Sequence, residues 1–170
     1  MAQGAGQSRR LFTGEHAYRL DSQRRIALPT AWRGKSDSER SFMLLPHEQP
    51  CIQMWPMPLF EKLLPRLEEE LLRSADALVA AGSTATLAAE TLVDRQGRFS
   101  LTSAQLAYAR ITDRVVLMGG YLTIALWSPE LWEATRQAPA AANQMLRSAA
   151  ARTDDLGQAF RRAMGVPTPP

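Results

Sequence analysis

The segment Leu20-Asp21-Ser22-Gln23-Arg24-Arg25-Ile26-Ala27-Leu28 returns further along the chain as Val93-Asp94-Arg95-Gln96-Gly97-Arg98-Phe99-Ser100-Leu101. Both copies run apolar residue, Asp, three intervening residues, Arg, then alternating apolar positions. A second landmark follows each: Ile52-Gln53-Met54-Trp55 with Leu59-Phe60-Glu61 corresponds to Ile124-Ala125-Leu126-Trp127 with Leu131-Trp132-Glu133. Asp21 and Asp94 lie 73 residues apart and Trp55 and Trp127 lie 72 apart, so one residue has been lost from a loop between them. Internal duplication fixes the unit of folding before any element is assigned. Here it puts one Asp-x-x-x-Arg hairpin in each half.

At 170 residues, 45% of them hydrophobic, the chain can bury one ordinary core or two small ones that lean on each other. Each half alone would be marginal. A single cysteine, Cys51, allows no intrachain disulfide and suits a reducing compartment. The longest uncharged stretch, Val115 to Pro129, falls short of the roughly 20 residues of a membrane helix and contains Gly119-Gly120. Met1 to Arg10 lacks the apolar core of a secretory signal. The expected location is therefore the cytoplasm, with no membrane partner.

Alternating apolar positions predict short strands at His16 to Asp21 and Arg25 to Leu28 around a tight turn, with Thr30 capping a turn of helix through Trp32. A polar loop over Gly34 to Ser41 leads to strands at Phe42 to Leu45 and Cys51 to Trp55. Pro56 and Pro58 open a helix bearing Phe60, Leu63, Leu64, Leu67 and Leu71, which Pro65 is expected to divide. Past the solvated run Glu68 to Glu70, the chain fades into small residues near Gly82 to Thr86, the boundary between halves. The second half repeats the plan. Strands are predicted at Ala89 to Val93, Arg98 to Leu101, Val115 to Met118 and Leu122 to Trp127, with helices from Ser103 to Ala109 and from Pro129. The expected domains are a first repeat over 11–82, a second over 83–139, and a helical, partly mobile tail over 140–170, whose last residues from Val166 are expected to be disordered.

Net charge is +3, unevenly placed. Residues 1–35 carry seven bases (Arg9, Arg10, Arg19, Arg24, Arg25, Arg33, Lys35) against two acids (Glu15, Asp21), a local balance of +5 that leaves −2 for the remainder. A basic end on a nearly neutral protein points to a directed contact with a polyanion. Genomic base composition competes as an explanation for the excess of Arg over Lys, but not for the clustering.

In a tight hairpin the carboxylate of Asp-x-x-x-Arg can accept from turn amides, while the arginine is aimed outward or held back by that carboxylate. A guanidinium suits phosphate oxygens and guanine edges; a pair that only stabilises the turn is the competing reading. Other chemistry is thin. His16 and His47, with one Cys, offer no metal-ligand spacing. Glycine-rich phosphate loops and nucleophile elbows are absent, so no catalytic residue, metal, cofactor or small-molecule substrate is expected. Trp55 and Trp127 are assigned to core packing.

Phe12-Thr13-Gly14, the first motif through Pro29, Trp55-Pro56, Val93 to Arg98 and Ile124 to Trp127 together resemble the MraZ family of bacterial transcriptional regulators, over about Leu11 to Trp132. The resemblance implies an α+β fold of two tandem, pseudo-symmetric AbrB-like swapped-hairpin β-barrel repeats with flanking helices. It also implies assembly of a homo-oligomeric ring and binding to repeated double-stranded DNA boxes upstream of the cell-division and cell-wall gene cluster, in association with the nucleoid. On that basis Arg25 and Arg98 are the principal DNA-facing residues, with Arg24, Gln23, Arg95 and Arg19 beside them, while Asp21, Asp94 and Gly97 stabilise the turns.

The first motif departs from the family, which has a basic residue and then Gly where Gln23 and Arg24 stand. Without the residue that most easily takes positive φ, a different first turn is expected, with Arg24 supplying the phosphate contact. An AbrB-like antitoxin or interaction module whose tail wraps a partner remains the alternative. An enzyme on the same barrel is disfavoured by the lack of a clustered nucleophile, base or metal set.

Overall fold

The computed structural model describes residues 10–73, 75–136 and 144. The chain divides into two units, Met1–Trp132 and Glu133–Pro170, and the architecture below belongs to the first. Gln144 excepted, the predicted helical tail from Ala140 lies outside the described residues.

The strands are β1 (Glu15–Arg19), β2 (Arg25–Ala27), β3 (Ser41–Pro46), β4 (Ile52–Pro56), β5 (Ala89–Leu92), β6 (Arg98–Ser100), β7 (Arg114–Gly119) and β8 (Ile124–Trp127). The helices are α1 (Asp37–Arg40), α2 (Met57–Arg73), α3 (Ala75–Ala85), α4 (Ser103–Tyr108) and α5 (Pro129–Thr135), with a 3-10 turn at Thr30–Trp32. One antiparallel sheet runs β1-β7-β8-β4-β3-β5, and β2 pairs with β6 in a separate two-stranded ribbon. The fold is therefore mixed α+β.

Exchanging the two halves leaves this pairing unchanged. The β1–β7 pair, with Arg19 opposite Arg114, maps onto β5–β3, with Leu92 opposite Ser41. The central β4–β8 pair maps onto itself, since Ile52 faces Leu126 and Met54 faces Ile124. So does the ribbon, where Arg25 faces Ser100 and Ala27 faces Arg98. The duplication legible in the sequence is thus a pseudo-two-fold relation in space.

Two expectations are corrected here. The strands flanking each Asp-x-x-x-Arg turn do not pair with each other as a hairpin ladder: β1 pairs with β7 and β2 with β6. Each half is too small for a sufficient core, and pairing across halves places both apolar strand faces in one interior. Nor is the sheet a closed barrel. Closure requires every strand to have two partners, whereas β1 and β5 are edges with one each, and the three-residue β2 and β6 pair only with one another.

Strand alternation builds that interior. Phe42 and Leu44 of β3, Ile52 and Met54 of β4, Val115 and Leu117 of β7, and Ile124 and Leu126 of β8 turn one way, into a cluster that also takes Ile26 and Phe99 from the ribbon. Trp127, Val116 and Ala125 face the other way, with Leu131 and Trp132 of α5 packed against them. Trp127 is buried as expected, whereas its counterpart Trp55 is half-buried and donates from Nε1 to Gln53 Oε1.

Helix boundaries bring further corrections. Pro65 does not divide its helix, for α2 runs through it. Residues 61–69 are exposed, so the carbonyl that Pro65 leaves without an amide donor can be hydrated. The polar loop after Gly34 contains a one-turn helix, α1, whose Ser36 and Glu39 form a capping box.

Candidate nucleic-acid interface

Each Asp-x-x-x-Arg turn is organised by its aspartate. Asp21 Oδ1 accepts from the backbone amides of Gln23 (2.9 Å) and Arg25 (2.8 Å). Its Oδ2 accepts from Arg25 Nε and Nη2, both at 2.7 Å. Asp94 repeats the pattern, with Oδ1 taking the amides of Gln96 and Arg98 (2.9 Å each) and Oδ2 taking Arg98 Nε (3.1 Å) and Nη2 (3.0 Å). The backbone closes identically: Arg24 N–H donates to Asp21 O and Gly97 N–H to Asp94 O, while the amides of Asp21 and Asp94 donate to the carbonyls of Arg25 and Arg98.

The two carboxyls are consequently held below the ordinary carboxylate range. The largest cause is the backbone amide of Arg25 or Arg98; desolvation opposes it, and the guanidinium adds to the lowering.

The expected difference between the turns is absent, because Arg24 occupies the position of Gly97 at φ +59°, against +80° for the glycine. A type I turn followed by a left-handed residue is the usual three-residue hairpin loop. Holding a non-glycine residue there costs on the order of 1 kcal/mol, which the shared hydrogen-bond set offsets. Gly97 has a further reason to be glycine. A Cβ on it would lie 2.1 Å from Arg33 Nε and 2.3 Å from Arg33 Cζ. Arg33 leaves the 3-10 turn, donates from Nε to Leu28 O (2.8 Å), and lies across Gly97.

The ribbon sets where the arginines emerge. Ile26 and Phe99 face each other and are buried, so Arg25, Ala27, Arg98 and Ser100 take the opposite, outer face. Arg25 and Arg98 stand diagonally across it, a separation of about 7–8 Å for such positions, and their side chains are 27% and 30% exposed. In the antiparallel ribbon the turns lie at opposite ends, with Gln23 and Arg24 exposed on one and Arg95 on the other. Arg19 is not brought to this face: it stands on β1 in the large sheet, 3.5 Å from Asp113 across an exposed ion pair. Sequence reading counted Arg33 in the basic cluster of residues 1–35 but gave it no specific place, since its contact with Gly97 joins positions 64 residues apart.

Among the described residues no group of His, Cys, Asp or Glu is arranged to hold a metal, and no helix is long and apolar enough to cross a membrane.

The chain is similar in sequence to known proteins. A protein from Gluconacetobacter diazotrophicus named transcriptional regulator MraZ is 30% identical over 132 residues, which cover 74% of this chain and 84% of that protein. The chain belongs to the MraZ family. MraZ proteins bearing the same name from Clostridium tetani (30% identity; 72% of this chain, 85% of that protein) and Gluconobacter oxydans (31%; 75% and 82%) agree. The MraZ family profile, described as "MraZ protein, putative antitoxin-like", matches residues 11–80, which include the first turn and Arg33.

Proposed function

We propose that the chain is a DNA-binding transcriptional regulator that grips double-stranded DNA with the outer face of the β2/β6 ribbon. The observation that carries this reading is the placement of Arg25 and Arg98 on one face, each pre-oriented by its own aspartate. Asp21 holds the Nε and Nη2 edge of Arg25, which leaves Nη1 for a phosphate oxygen or a guanine edge. Asp94 treats Arg98 alike. Arg24, Gln23 and Arg95 contact the flanking backbone from the turn tips, with Arg19 further out.

Each turn nets only one positive charge, since its aspartate cancels one of its two arginines. One ribbon therefore binds weakly. The strand exchange between halves supports reading them as AbrB-like repeats, and a ring of such chains would meet several promoter boxes at once, letting effective concentration set affinity. The boxes of this reading lie upstream of the cell-division and cell-wall gene cluster, so the protein works in the cytoplasm at the nucleoid.

The test is a footprint on the chain's own upstream region across a salt series. The wild type is expected to protect regularly spaced boxes and to lose them steeply with salt. Arg25→Ala is expected to abolish specific protection with the oligomer intact. Protection near the wild-type level by a folded Arg25→Ala, Arg98→Ala double variant would remove the role given to this face.

A further inference from the structure

The pseudo-symmetry of the turns is broken at one place, and the break concerns a guanidinium. Positions 24 and 97 have the same left-handed backbone. Over the first, the turn's own Arg24 supplies the side chain. Over the second, glycine leaves a gap, and the Nε, Cζ and Cδ atoms of Arg33 fill the place a Cβ would take, at 2.1, 2.3 and 2.7 Å from it. Arg33 comes from the other half of the chain. The residue 73 positions on from it is Leu106, which is buried, so the equivalent position carries no guanidinium for the first turn.

The geometry points to Arg33 as the counterpart of Arg24: a phosphate-contacting residue of the second turn, delivered in trans from the first half. Its Nε is anchored on Leu28 O, and Leu28 N–H in turn donates to Gly97 O, so the arginine is tied to the turn it serves. Arg33 is half-buried, and among the described residues its Nη1 and Nη2 make neither hydrogen bond nor ion pair. A guanidinium fixed at Nε with its outer edge unengaged is oriented to donate to a phosphate oxygen at low entropic cost. With it, the second turn offers three guanidinium groups, Arg33, Arg95 and Arg98, against Arg24 and Arg25 at the first. Gly97 is on this account a docking place for Arg33 as well as a turn residue.

The inference rests on the DNA reading above, and one experiment separates the two. Binding of the full chain to a duplex carrying its upstream region is measured across a salt series for wild type, Arg33→Ala, Arg33→Gln and Arg33→Lys. Loss of one phosphate contact lowers the magnitude of the slope of log K against log salt by about 0.9 per engaged chain and weakens binding about threefold to tenfold near 0.1 M salt. Arg33→Ala and Arg33→Gln are expected to show both changes, and Arg33→Lys to restore the slope. Should Arg33→Ala fail to fold, Arg33→Gln is judged by its slope alone. Weaker binding with an unaltered slope marks Arg33 as merely structural and overturns the assignment, as does unaltered binding. If the wild type fails to bind, the DNA reading itself falls and this assignment with it.

Discussion

Gly97→Ala tests the geometry of the second turn without substituting any charged residue. The φ of +80° is unfavourable for alanine by about 1 kcal/mol. The new Cβ would also stand 2.1 Å from Arg33 Nε, so that side chain must swing away and surrender its 2.8 Å bond to Leu28 O. At a half-buried site that bond is worth about 1 kcal/mol, below the range for fully buried charged donors. Alanine returns about 0.5 kcal/mol by restricting the unfolded chain. The net loss is about 1.5 kcal/mol, or about 3–6 °C in Tm for a chain of this size. Thermal and urea unfolding followed by circular dichroism measures it. In an Arg33→Ala background the steric part vanishes, leaving a cost of about 0.5 kcal/mol and a coupling of about 1 kcal/mol between the two positions. Equal costs in both backgrounds would refute the packing of Arg33 on Gly97. At the equivalent position, Arg24→Gly relieves strain but frees the unfolded chain by a similar amount, so its effect on stability is expected within about 0.5 kcal/mol.

The depressed Asp21 and Asp94 carboxyls stabilise the fold wherever the unfolded carboxylates are ionised, above about pH 4. That contribution is lost as pH falls through their lower folded values, so Tm measured from pH 7 to pH 2 should drop most steeply in acid; an Asp21→Asn, Asp94→Asn variant with an equally steep acid limb would show that the turns do not contribute. Gln105 is fully buried, with Oε1 accepting from Thr102 N–H and Nε2 donating to Leu87 O. Gln105→Ala leaves both partners unsatisfied beside a cavity, and should lower stability by about 3 kcal/mol in urea unfolding; a loss below about 1 kcal/mol would mean that water replaces the amide.

Much of the fold was legible because it depends on local signals. Alternation marked the strands, Pro56 and Pro58 marked the start of α2, and the duplicated Asp marked one turn in each half. The readings that failed did so for identifiable reasons. Pro65 breaks a helix only where its lost hydrogen bond is costly, and solvent exposure of residues 61–69 removes that cost. Arg24 was expected to change its turn, but propensity at one residue yielded to the Asp21 carboxylate and its hydrogen bonds. The one-turn helix capped by Ser36 and Glu39 was not among the expected elements, although Ser-x-x-Glu stands in the sequence.

The sequence by itself determined the repeating unit, the residues of each turn and which strand faces are apolar, because these follow from the order of residues along a few turns of backbone. Only the tertiary structure decided which strands pair, since a ladder between β2 and β6 or between β1 and β7 is a choice among long-range partners of similar pattern, settled by burial in a single core. The same choice put Arg25 and Arg98 on one face and laid Arg33 over Gly97, because proximity between halves arises only when the chain closes upon itself.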